Sequence, residues 1–358
     1  MERPDESLIK DADLRQELER HRQRTGGGNG IFFFEVRALA RKQEERDAER
    51  TRRAAELAAL PREKRRRAVV REVFESAAPS RTDIRHIHSV LAVCGLPHER
   101  QPLDVREYSR EQGRMALDVS AGFLRDPNGR KFQQPLPFGP KARLVLMHLC
   151  SEAVQQKSAV IEIADTFTGF VRDMGFSTDG GKRGTLTAFK EQLNALAACS
   201  MRISAWDGNS VRTRNITPLE QVELWLSSDP DQRSLWPSTV TFSPQMFESL
   251  KQHAVPVNAH AIKAFAGSSR KLDLYFWLGW RLNNIETPLH ISWDALKPQF
   301  GSGFGRDRDF KAKFAEELGH ILEVFPKLPA KLTEEGLSLQ PAGPDVLALP
   351  APRPLKKR

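Results

Sequence analysis

Cysteine is scarce: Cys94, Cys150 and Cys199 are three in 358 residues, far apart and each set among apolar neighbours. That pattern excludes a disulfide framework or a zinc knuckle and reads as three reduced core thiols. Long uncharged apolar runs are also missing, so no stretch of sequence spans a bilayer as a helix. At the N-terminus, Asp5, Glu6, Asp11 and Asp13 interrupt any apolar region of the kind a secretory signal needs, and a cytoplasmic location is expected. No catalytic constellation, metal site or cofactor is expected either. What the chain does have is positive charge, a formal +9 from 55 Lys and Arg against 46 Asp and Glu. With no membrane segment, that balance favours nucleic acid as the acidic partner.

The chain divides into segments of different character. Residues 1–80 are dense in alternating charge, broken by Gly26–Gly30, and rich in helix formers with opposite charges three or four apart. They are expected as a charged, helical or partly disordered arm, with a kink near Pro61. Residues 81–218 become globular. Their lead-in holds the apolar stripe of "IRHIHSVLAVCGLP" and two strands joined at Pro127-Asn128-Gly129. Then a helix with Leu144, Met147, Leu149 and Cys150 near one face, a short strand at Val160–Ile163, and a helix through Phe167, Phe170, Val171 and Met174 follow in turn. A third helix places Leu186, Phe189, Leu193 and Leu196 on one side, and the strands around Asp207-Gly208-Asn209 form a hairpin. This is the winged-helix order. After a connector at 219–257 a similar order returns at 258–343, with Phe310, Phe314, Leu318 and Ile321 inward on its long helix and a second hairpin turning at Gly336. Residues 344–358 read as a disordered Pro-rich tail that includes "DVLALP". The expected fold class is α+β, mainly helical: two tandem winged-helix DNA-binding domains preceded by the arm.

The stretch "GGKRGTLTAFKEQL" at 180–193 poses the functional question. A phosphate loop needs G-x-x-x-x-G-K-[ST] between a strand and a helix, so that backbone amides curl round the anion. Here Gly stands where Lys should fall, Arg follows Lys182, and the preceding element is helical. The alternative is a tight turn that delivers Lys182 and Arg183 to a helix N-terminus, where cations and amides meet one DNA strand. With the apolar side inward, Thr187, Ala188, Glu191 and Asn194 point outward, Lys190 and Gln192 lie on the flanks, and Thr185 starts the helix. Small and polar side chains of this sort enter a major groove: Asn can pair with adenine and Glu can accept from cytosine. On the hairpin Arg212 and Arg214 share a face, Val211 and Ile216 are assigned to the other, and the two arginines suit phosphate or a minor groove. In the second half, Arg306, Arg308, Lys311 and Lys313 repeat the cationic placement at a helix start.

From about Ile87 to Gly343 the sequence resembles the RepA-type replication initiators of broad-host-range bacterial plasmids, most densely in "HSVLAVCGLP" and "LPFGPKARLVLMHLCSEAVQQKSAVIEIADTFTGFVRDMGFSTDGGKRGTLTAFKEQL". The resemblance implies a bacterial cytoplasmic protein that binds repeated sites (iterons) in double-stranded origin DNA. It also implies melting of adjacent A·T-rich DNA, recruitment of the host replication initiator and replicative helicase, and a homodimer as inactive form. Two other functions fit parts of the pattern. A winged-helix transcriptional regulator shares every DNA-binding feature. A rolling-circle nickase would use His86 and His88 with Tyr108 or Tyr275, but that histidine pair falls in what reads as a helix start.

Overall fold

The computed structural model describes residues 5–27, 30–126, 128–163, 167–179, 184–222 and 239–350. The chain forms two compact units, Met1–Arg65 and Arg66–Arg358. In the first, helix α1 (Ala12–Thr25) ends at Gly26 in the left-handed conformation, and α2 (Gly30–Ala59) packs against it. Apolar residues at helical spacing close a small core of Ile9, Leu14, Leu18, Phe32, Val36 and Leu39. Gln43 Oε1 accepts the N–H groups of Lys10 and Asp11 at 3.0 and 2.9 Å, and the Asp11 carboxylate receives Arg46 and Arg50. The helix does not kink at Pro61 but breaks there, because proline has no N–H to give and disfavours a helical residue before it. A separate α3 (Arg62–Ser76) follows.

The second unit opens with the rest of α3, whose cations brace protein and are not simply solvated: Arg66 donates to the Gly175 carbonyl and Arg67 Nε meets Glu323 at 2.7 Å. Next come β1 (Ile84–His88), α4 (Ser89–Val93), β2 (Glu107–Gln112), β3 (Met115–Ser120), β4 (Phe123–Arg125) and β5 (Lys131–Gln133). Helix α5 (Gly139–Gln156), β6 (Val160–Glu162), α6 (Phe167–Asp173), α7 (Thr185–Ala198) and the hairpin β7 (Ser200–Trp206) and β8 (Val211–Ile216) continue the chain. The stretch expected as a connector supplies β9 (Leu219–Val222), β10 (Thr239–Phe242), α8 (Pro244–His253) and β11 (Ala254–Asn258). The second half consists of α9 (Ala259–Phe265), α10 (Ser269–Leu282), β12 (Leu289–Ser292), α11 (Trp293–Phe300), α12 (Asp307–Val324), β13 (Ala330–Leu332) and β14 (Gly336–Leu339). All sheets are small and antiparallel, ordered β2-β3-β7-β8, β6-β10-β9, β12-β14-β13, β1-β11 and β4-β5. The class is therefore mixed α and β, mainly helical.

Pairing of β1 with β11 repeats the architecture further upstream than the sequence pattern reaches. Ile84 lies opposite Asn258 and His88 opposite Ala254, and each strand runs into a short helix capped by its own last residue. His88 Nδ1 accepts the Val90 N–H at 3.2 Å, and Asn258 Oδ1 accepts the His260 N–H at 2.8 Å. The expectation of a helix start at His86–His88 is thus corrected: β-branched and alternating residues pair as a strand, and the helix begins at Ser89. Two further corrections concern turns and tail. The second hairpin turns at 333–335, with Gly336 the first residue of β14, where a Cβ would fall 2.0 Å from the Ile291 carbonyl oxygen. In the expected tail, Leu347, Ala348 and Leu349 are buried, and the Ala348 carbonyl accepts from Asn258 Nδ2 at 2.8 Å; apolar burial outweighs the local proline content. Residues 351–358 lie outside the described residues.

Helices α5 and α10 form the centre. Leu144–Cys150 and Leu272–Leu278 are buried around the whole helical circumference, as expected for helices enclosed by other elements. Cys94, Cys150 and Cys199 are free and buried, and burial pushes each thiol up to about 12. Across this core Arg143 of α5 meets Asp273 of α10, Nε to Oδ1 at 2.5 Å and Nη2 to Oδ2 at 2.7 Å. Removing one member leaves a buried charge without its partner. Asp273→Ala is expected to lower unfolding free energy by about 3–5 kcal/mol in urea melts, with Arg143→Met/Asp273→Leu recovering much of the loss.

His148 stacks on Phe170 with ring centroids 4.4 Å apart, and burial pushes its pKa down to about 3; burial likewise takes His88 to about 4. Both folded values lie below the ordinary 6.5, so the unfolded chain binds more protons and stability falls as pH drops from about 6.5 towards 4. Glu317 acts oppositely, since burial raises it to about 7. Comparing His148→Phe with wild type isolates the histidine: the variant's stability should fall less between pH 6.5 and 4.

Candidate nucleic-acid interface

The geometry of α7 follows from its apolar spacing. Leu186, Phe189, Leu193 and Leu196 are buried, and Phe189 meets Phe167 and Phe176 edge-on at 5.9 and 5.4 Å. Lys182 and Arg183, the cations expected at the helix start, lie outside the described residues. Thr185 is half-buried and its hydroxyl is 2.9 Å from that of Ser177. Thr187 is exposed. Lys190 is half-buried, and desolvation lowers its ammonium pKa. Glu191 pairs with Arg100 at 2.9 Å, while Asn194 has a buried Oδ1 with no hydrogen-bond partner among the described residues. Gln192 is not on a flank: it is buried, and its Oε1 accepts the Phe138 N–H at 2.8 Å at the start of α5. The outward strip of α7 is therefore narrower than helical spacing suggests, because the residues before α5 cover one side.

The hairpin after α7 is built by its turn. Asp207 Oδ1 accepts the N–H groups of Asn209 and Ser210 at 2.9 and 2.8 Å, and Gly208 takes φ 102°, which favours glycine. Arg212 and Arg214 on β8 are exposed and make no ion pair among the described residues. Alternation places Ile216 on their face, contrary to the expected assignment, since residues two apart along a strand point the same way. Register sets Arg214 opposite Ile203 and Leu117 opposite Ile203 in turn, so the arginines continue the buried face of the four-stranded sheet out into solvent.

In the second half the cations are partly neutralised. Arg306 Nε donates to Asp309 at 2.7 Å, Arg308 lies 3.8 Å from the same carboxylate, and Lys313 meets Glu316 at 2.9 Å. Lys311 is exposed, with Nζ 5.4 Å from the Trp293 ring centroid. Pairs this exposed are worth little.

The histidine pair is placed differently from a metal centre. His88 is buried with Nε2 2.9 Å from Ser249 Oγ and Nδ1 capping α4, so both nitrogens are engaged within the fold. Tyr275 is buried, its hydroxyl accepting the Asn258 N–H at 2.8 Å. Among the described residues no group of three or more His, Cys, Asp or Glu is arranged to hold a metal ion, and no helix is long and apolar enough to cross a membrane.

The sequence reading passed over two sets of cations. Arg100 and Lys141 flank α7, the latter 5.9 Å from the Phe189 ring centroid. Arg125, Arg130 and Lys131 lie on or beside the β4–β5 ribbon. Their signal was the density of cations around the Asn128-Gly129 turn.

Residues 136–295, from just before α5 into α11, match the family described as plasmid encoded RepA protein. The RepA-type resemblance read from the sequence holds over that stretch. No curated protein matches the chain. Solved structures similar to the chain include two of RctB. A selenomethionine crystal structure of domains 2 and 3 of RctB is 11% identical, covers 64% of this chain and 84% of its own, and gives a TM-score of 0.42. A second crystal structure of RctB domains 2–3 is 10% identical, with coverages of 68% and 83% and a TM-score of 0.40.

The α7–α5 junction yields a test of its own. Gln192→Ala leaves the Phe138 N–H without an acceptor and is expected to cost about 1–3 kcal/mol in urea melts, whereas Gln192→Glu keeps the acceptor and should cost less.

Proposed function

We propose that the chain initiates replication of a bacterial plasmid by binding double-stranded DNA at the origin, without enzymatic activity of its own. The observation that carries this reading is a repeated unit: α5-β6-α6-α7 closed by the sheet β6-β10-β9 is followed by α10-β12-α11-α12 closed by the sheet β12-β14-β13, with cations before or at the start of the third helix in the sequence each time. The first copy lies largely within the match to plasmid encoded RepA protein. Helix, strand, helix, helix and a hairpin paired back to that strand is the winged-helix plan, so α7 and α12 are the reading helices and β9–β10 and β13–β14 the wings; β7–β8, expected as the first wing, pairs with β3 and is an added hairpin beside α7.

On this reading Lys182 and Arg183 hold phosphate at the N-terminus of α7, and Thr185, Thr187 and Lys190 follow along the groove. Glu191 reaches a cytosine amino group only when Arg100 releases it, and Asn194 only when its amide swings outward. Arg212 and Arg214 take phosphate or a minor groove from the β7–β8 hairpin, and Arg306, Arg308, Lys311 and Lys313 do the same work at α12. Iteron recognition, melting of A·T-rich DNA, recruitment of the host initiator and helicase, and a homodimeric inactive form belong to the same reading by likeness to RepA-type initiators.

Footprinting on the DNA beside the gene tests it directly: protection repeating about one helical turn apart is expected, and a chain that protects no sequence there overturns the reading. In salt titrations of the protected fragment, Arg212→Ala/Arg214→Ala should lower the slope of log K against log salt by about 0.9 per lost phosphate contact. An unchanged slope removes the β7–β8 hairpin from the interface.

A further inference from the structure

The β4–β5 ribbon has no part in the reading above, yet its surface is built unlike an ordinary loop. Register pairs Phe123 with Gln133 and Arg125 with Lys131, so these four share one face while Leu124 and Phe132 share the other. All four residues of the first face are exposed, and Leu124 and Phe132 are half-buried. The exposed face therefore carries two cations, an amide and an aromatic ring 45% exposed, and no carboxylate. The ribbon's one acid, Asp126, is turned to the backbone, where Oδ1 accepts the N–H groups of Asn128 and Arg130 at 2.9 and 2.8 Å. No ion pair reaches Arg125, Arg130 or Lys131 among the described residues.

An isolated two-stranded ribbon is only marginally stable in water, but this one is fastened at its root. A Cβ on Gly122 would fall 1.9 Å from the carbonyl oxygen of Ala198, the last residue of α7. Arg106 donates to the carbonyls of Leu103, Ala121, Gly122 and Gln134, and its guanidinium sits 5.2 Å from the Phe123 ring centroid. Lys131 Nζ lies 3.8 Å from the same centroid. The root of the cationic face is thus packed against the C-terminal end of α7.

We propose that the β4–β5 ribbon is a second contact on the duplex that α7 reads, with Arg125 and Lys131 on phosphates and the Phe123 ring against the sugar edge. This rests on the origin-binding reading. Duplex DNA is the occupant because the face carries two cations and no carboxylate and is rooted on α7, the reading helix of the proposed function.

The test uses the full chain carrying Arg125→Ala/Lys131→Ala, beside Arg125→Lys/Lys131→Arg, which keeps the charge; both side chains are exposed, so folding should survive. On the origin duplex the alanine variant should lose about 1.8 from the salt slope, near 0.9 per contact, and shorten the footprint at one edge. The charge-keeping variant should retain both. An unchanged slope and footprint, with wild type still protecting the origin, overturns the ribbon contact alone. So does a loss seen only on a single-stranded oligonucleotide of the same sequence. A wild-type chain that protects no origin sequence removes the ribbon and the origin reading together.

Discussion

The ion pair between Arg143 and Asp273 is the constraint on which the second unit is arranged. Every N–H of the Arg143 guanidinium has an acceptor: both Asp273 oxygens and the carbonyls of Leu96, Pro97 and Gly139. Removing two charges from water costs several kcal/mol per ion, and only complete hydrogen bonding of this kind offsets it. The Coulomb attraction is therefore better understood as setting register than as adding net stability. Arg143 belongs to the first helix of one repeat and Asp273 to the first helix of the other, so the contact sets how the two halves meet. Neighbouring groups conform to it. Gly95 adopts φ 66° where a Cβ would sit 2.7 Å from Asp273 Oδ2. Burial, reinforced by the nearby positive charges of Arg143, Arg110 and Arg270, holds His98 far below its ordinary pKa.

Much of the helical scaffold was legible because its signal is local. Apolar residues three and four apart on α7 and α12 specify both the helix and its buried side, and Phe310, Phe314, Leu318 and Ile321 are buried as that spacing requires. The hairpin at Asp207-Gly208-Asn209 is equally local, since turn chemistry there depends on three adjacent residues. What escaped was non-local. The pairing of β1 with β11 joins residues some 170 apart, and β9, β10 and β6 make a sheet from two sides of the β7–β8 hairpin. Such partners cannot be read from one strand. Gln192 shows the same limit at the site: periodicity gives its angle round α7, but only the packing of Phe138 against it makes that angle an interior one.

Charge was the least faithful guide. A formal +9 suggests a broadly basic surface, yet many of the arginines are structural. Arg143 and Arg110 are buried beside Asp273, Arg67 is buried against Glu323, and Arg106 and Arg270 spend their donors on backbone carbonyls. Guanidinium suits this role because its planar fork satisfies several acceptors at once and stays charged when enclosed. In the second unit, exposed cations include Arg212 and Arg214 on β8, Arg306, Arg308 and Lys311 at the start of α12, and Arg125 and Lys131 on the β4–β5 ribbon.

That distribution bears on how two reading elements could act on one DNA site. Were the halves joined by a flexible connector, the second would bind at an effective concentration set by linker length, and spacing between half-sites could vary. Here residues 239–258 are not free chain: β10 completes a sheet with β6, and β11 pairs with β1. With α5 and α10 also locked by a buried ion pair, any adjustment of spacing must come from bending the DNA or breaking that pair. Duplex deformation costs on the order of a few kcal/mol for moderate bends, and rupture of a buried pair costs a similar amount. On the proposed origin-binding reading, a two-part reader of this construction would select its sites by spacing and deformability as well as by base contacts, and the arrangement that imposes this is the buried pairing of the two halves, not the outward cations.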